Sequence, residues 1–167
     1  MQPGRVAAST AADLQGFGFS EHLLVWAWRR IATGQSQCPV MAQAFRHACG
    51  EDGPEVFLTL CTFLKALGFA SRRHLMMGKP GCPEITADER QVLTLIAAAQ
   101  AATPALFEAH LRWMTRPPQR HILKIAAGAL GTALRVNQLC LALPEADAPA
   151  ACIHPLAPAG QARVSEA

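Results

Sequence analysis

Six cysteines, at positions 38, 49, 61, 82, 140 and 152, carry the most reactive chemistry in this sequence. Thiolates are soft, negative donors that suit zinc and iron–sulfur clusters. Two of them precede proline, as Cys38-Pro39 and Cys82-Pro83, where a loop or a helix entry can aim the sulfur. His47 stands two positions before Cys49. A zinc or iron–sulfur site on Cys38, Cys49, Cys82 and His47, or with His22 as the fourth donor, is one expectation. Against it, no C-x-x-C pair occurs and the spacings match no standard ligand pattern. Cys61 sits in an apolar helical band, and Cys140 lies between Leu139 and Leu141. There a thiol packs as a small hydrophobe. Haem ligation by a lone Cys-Pro ranks below zinc, because the dipeptide is common by chance. The sequence therefore predicts no cofactor, with zinc or an iron–sulfur cluster as the alternative.

Catalytic signatures are missing. A cysteine nucleophile needs a base within hydrogen-bond reach. His47 and Cys49 are two residues apart on an expected helix and face different ways. There is no G-x-S-x-G, no H-E-x-x-H and no paired-carboxylate pattern. Gly78-Lys79-Pro80-Gly81 lacks P-loop spacing, and its proline removes an amide donor. His110 lies on an apolar helical stripe and reads as a core histidine. The chain is read as non-enzymatic.

Macromolecular binding needs fewer assumptions. Trp and Arg are enriched at binding hot spots. Trp26, Arg29 and Arg30 form one expected patch, and Arg72, Arg73, Met76 and Met77 form another. A protein partner, or a second copy of the chain, is the expected ligand. Two basic clusters raise nucleic acid as a third reading: Arg72, Arg73, His74 and Lys79, and then Arg112, Arg116, Arg120 and Lys124. A net charge of +3 is weak for that role. No expected helix presents a row of polar side chains to base edges.

These residues must be positioned by helices. The chain has no tyrosine and few β-branched residues, which argues against an extensive sheet. The expected architecture is all-α, an irregular bundle of about six helices in one domain over 20–143. Flexible tails are expected at 1–19 and 144–167. Ser20 is the expected cap of a helix over 21–33 that Gly34 stops. Pro39 opens a second helix that runs to Cys49. The third, over 54–69, is apolar nearly all round and so reads as central. Around 71–85, glycines and prolines imply a loop or a small hairpin. Thr86-Ala87-Asp88-Glu89 is a capping box for the fourth helix. A fifth runs from Pro104 to Met114. The sixth is expected over 119–141, with Ile122, Ala126, Ala129, Leu130, Ala133 and Val136 on one face. Gly128 and Gly131 there permit close approach of another helix. No uncharged apolar run reaches the roughly 20 residues of a membrane span, and no secretory leader is apparent. The protein is read as cytoplasmic, without a membrane partner.

Overall fold

The computed structural model describes residues 12–13 and 16–143. The tail expected at 144–167, and most of that at 1–19, lie outside the described residues. Six α-helices make up the domain: α1 (Phe19–Ala32), α2 (Pro39–Cys49), α3 (Gly53–Ala70), α4 (Ala87–Gln100), α5 (Pro104–Met114) and α6 (Arg120–Val136). The all-α expectation holds. Two short 3-10 turns, Gly50–Asp52 and Pro117–Gln119, join α2 to α3 and lead into α6.

The core lies where α6 crosses α3 and α4. Leu123, Ala127, Leu130 and Leu134 of α6 are buried with Val56, Leu60, Phe63 and Leu67 of α3. Leu95 and Ile96 of α4 complete this layer. Gly131 makes the α4 crossing close: a Cβ there would stand 2.9 Å from the Gln100 amide. Gly128 meets no such neighbour. The α2–turn–α3 stretch, Pro39–Ala70, is long and apolar enough to cross a membrane by composition alone. It is not one rod. Gly50 adopts φ +59°, α2 turns back on α3, and Phe45 meets Phe57 with ring centroids 5.2 Å apart. A Cβ at Gly53 would strike the Phe45 carbonyl at 2.6 Å.

The structure departs from the sequence reading at three places. First, α1 begins at Phe19 with Gly18 as its cap, and Ser20 is buried in the first turn. Glu21 is buried too, and its carboxylate accepts from the Ala142 amide at 2.7 Å. Second, the 71–85 excursion forms no hairpin of its own. Its strand β2 (Glu84–Ile85) pairs antiparallel with β1 (Ala12–Asp13). Third, α6 stops at Val136 instead of reaching Leu141. Gln138 takes φ +59°, the Leu139 amide reaches back to the Leu134 carbonyl at 2.9 Å, and the Gln138 amide reaches Arg135. This is a Schellman stop.

After that stop the chain runs extended. Leu139 and Leu141 turn inward while Cys140 and Ala142 face out. The buried Gln100 side chain stands in for a strand neighbour. Its amide nitrogen donates to the Leu139 carbonyl, and its oxygen accepts from the Leu141 amide, both at 2.8 Å.

Candidate interaction surface

Most of the candidate binding residues are engaged inside the domain. Arg29 is buried, and its guanidinium grips Glu89 of α4 through two bonds, Nε–Oε1 at 2.7 Å and Nη2–Oε2 at 2.8 Å. The remaining N–H groups donate to the carbonyls of Cys82 (2.6 Å), Glu84 (2.6 Å) and Lys79 (3.3 Å). All five guanidinium donors are thereby used. Glu89 also accepts the amides of Gly78 and Thr86. The expected capping box is present, with the Glu89 amide on Thr86 Oγ1. The 71–86 loop is thus wrapped around one buried ion pair. Gly78 is needed for this wrapping, because a Cβ there would lie 2.3 Å from Arg29 Nη2. Burial alone pushes the Glu89 carboxyl up, but Arg29 and the Thr86 and Gly78 amides outweigh it and hold it below the ordinary value. Glu89 in turn raises Arg29.

Arg73 makes a second, bidentate pair with Asp88, at 2.8 and 2.6 Å, and lies over the Trp113 ring. That bond, ahead of burial and together with the Met76 amide, lowers the Asp88 carboxyl. Arg72 donates to the Thr115 and Arg112 carbonyls and ties the loop to the end of α5. Arg30 stacks over half-buried Trp26, 5.4 Å from the ring centroid. Trp26 and Arg30 of the expected patch are thus together, while Arg29, its third member, faces inward. Met76 and Met77 are exposed on the loop. The basic clusters are also partly spent: Arg120 donates to Thr115 Oγ1, and Lys124 pairs with Glu108.

The expected metal ligands are not brought together. Among the described residues, no three His, Cys, Asp or Glu side chains gather at one point. Cys38 caps the start of α2 and Cys49 ends the same helix. The eleven residue steps from one to the other span about 16 Å along the helix axis. His47 is exposed on α2, and His22 is exposed on α1. Cys82 lies in the loop held by Arg29. Burial, aided by Asp52, pushes the Cys49 thiol up, and burial does the same to Cys61 despite Lys65. Burial thus disfavours the thiolate at both positions.

What the sequence reading missed lies on the outer sides of α3 and α6. Ile122, Ile125, Ala129, Thr132 and Val136 recur at alternating three- and four-residue steps, and all are exposed. Ile125 is 70% exposed and Val136 68%. Three members of the shared face expected on α6, Ile122, Ala129 and Val136, point outward, and Ala133 is half-buried. The inward stripe is Leu123, Ala126, Ala127, Leu130 and Leu134. On α3, Leu58 and Phe69 are 66% and 60% exposed, so part of the helix's apolar circumference is left open. The two helices make the most extensive contact in the domain. A groove of 480 Å³ runs between them, with Asp52, Glu55 and Thr59 on one wall and Ala129, Thr132 and Val136 on the other.

No family model, curated protein or solved structure matches this chain. The reading of this face rests on its geometry.

Proposed function

We propose that this domain is a non-enzymatic, protein-binding module whose docking surface is the open side of α3 and α6. One observation carries the reading. α6 carries a second apolar stripe beside its buried one, and α3 is apolar on nearly all sides, yet Ile122, Ile125, Val136, Leu58 and Phe69 stand exposed with no described residue over them. A helix like α3 is ordinarily buried all round, and exposed apolar patches of this extent mark interaction sites. The polar chemistry elsewhere supports it: Arg29, Arg73, Glu89 and Asp88 serve one another and the backbone, with no reacting group left poised between them.

The test is site-specific photo-crosslinking in cells. Benzoylphenylalanine placed at position 125 or 136 should give adducts heavier than the chain. Val40 and Met76, also more than half exposed but off this face, should give none. Equal yields at all four positions, or none at 125 and 136, would overturn the proposal.

A further inference from the structure

Resting on that docking reading, we infer that the occupant of the α3–α6 face is a second copy of this chain, docked antiparallel about a two-fold axis that passes between Ala129 and Thr132. Three features on the face select this occupant.

The first is the stripe itself. Steps of three and four residues from Ile122 to Val136 are the a/d seam of a coiled coil, which takes another helix. The second is its size pattern. Ile125 and Val136 lie at equal distances on either side of the Ala129/Thr132 pair. In an antiparallel pairing each Ile125 meets the partner's Val136, and the small side chains meet at the centre. A surface that is self-complementary under a two-fold is what an isologous dimer requires. The third is charge. Glu51, Asp52 and Glu55 stand exposed at the start of α3, and Asp52 and Glu55 share the groove with Val136. The opposite end carries exposed Lys65, Arg116 and His121, held beside the end of α3 by the Arg116 amide on the Ala70 carbonyl at 3.0 Å. Antiparallel docking sets the acidic end of each copy against the basic end of the other. A parallel pairing would set like against like. Arg135, about 100° round the helix from Val136, lies outside the seam.

The chain's own 144–167 segment fits the seam poorly. Its large aliphatic residues are Ile153, Leu156 and Val164, set among alanine and proline without a repeat. The face is about 25 Å long and roughly two helices wide, on the order of 500 Å² per copy. That is below the ~800 Å² per partner of a standard interface, so the dimer is weak, with a Kd of roughly 1–100 µM.

Sedimentation equilibrium of the full chain should show a monomer–dimer equilibrium in that range. Ile125→Glu should weaken it by at least about a hundredfold, while Met76→Glu leaves it unchanged and both keep the helical circular dichroism of the wild type. In a Cys140→Ser, Cys152→Ser background, mild oxidation of the Ile125→Cys, Val136→Cys double variant should give a covalent dimer, and neither single variant should. Single variants that cross-link as well as the double variant mean a parallel pairing and overturn the inference. So does a wild type that stays monomeric. The photo-crosslinks at position 125 separate the two readings. Adducts at twice the 17.8 kDa chain mass support the second copy. Adducts of another mass retire it and leave the docking surface standing. An internal link to 144–167, or no adduct, retires both.

Discussion

The buried Arg29–Glu89 pair shows how little a residue's type reveals of its place. Burying two charges costs several kcal/mol per ion unless each is paired and every donor is used. Here five donors and both carboxylate oxygens are used, and that satisfaction makes the pair tolerable. Removing one partner leaves the other charge stranded. Glu89→Gln should therefore lower stability by about 3–5 kcal/mol, measured by urea unfolding. The same experiment has a pH signature. Glu89 and Asp88 both titrate below their ordinary values in the folded chain. Each contributes stability that is fully present above its unfolded value and is lost as pH falls toward its folded one. Wild-type stability should hold from neutral pH to about pH 5 and fall below about pH 4.3. The fall should be shallower in Glu89→Gln, and an unchanged slope would mean the pair is not formed. The capping box was legible because its spacing is a local rule. Arg29 was not. Its partner is 60 positions away, and no period in α1 separates a buried arginine from a solvated one.

At the scale of elements, starts and middles were legible and some ends were not. Pro39 and Pro104 mark their helix starts as expected, and Gly34 ends α1 in a left-handed turn at φ +83°. Two other helices end in the same turn without glycine: Ala102 follows α4 at φ +52°, and Gln138 follows α6 at φ +59°. A left-handed residue with a Cβ costs roughly 1–2 kcal/mol, so nothing in the type of residue 138 announces the stop. The apolar run past it, Leu139-Cys140-Leu141-Ala142-Leu143, alternates with period two, which is strand spacing, yet it also continues the helical pattern of α6. Only the Gln100 clamp and the Glu21 carboxylate decide between them, and both lie far away in sequence. Gln138→Gly tests this directly. The side chain is exposed, so little contact is lost while the left-handed strain is relieved. The relieved strain of roughly 1–2 kcal/mol, less about 0.4–1 kcal/mol for the freer unfolded chain, should raise stability by about 0.5–1 kcal/mol, read as a higher urea midpoint with an unchanged slope. A loss would place residue 138 in a right-handed conformation and return α6 toward Leu141.

At the scale of the whole molecule, ten large apolar side chains stand exposed among the described residues, and five of them lie on α3 and α6. Part of this was visible in sequence, since α3 is apolar nearly all round. The inference drawn from it, a central helix, is half right: α3 is central to the domain on one side and open on the other. The second stripe of α6 was hidden because its members were merged with the core stripe one position away. A stripe of three- and four-residue steps and the same stripe shifted by one differ by only about 100° of rotation. What decides between them is which neighbour exists, and that is a property of the assembled fold. If the neighbour of the outer stripe is another copy, folding and association are linked by mass action. Raising the total protein concentration to ten times Kd leaves about twice Kd as free monomer and adds about 1 kcal/mol to the folded state, which for a domain of this length raises Tm by roughly 3 °C. The wild-type Tm should climb with concentration by that amount, measured by calorimetry across a hundredfold dilution series. Ile125→Glu should melt at one temperature throughout, and at the temperature of dilute wild type, because a side chain standing 70% in solvent contributes little to the monomer. A wild-type Tm that ignores concentration would mean that the outer stripe gains no second copy in solution.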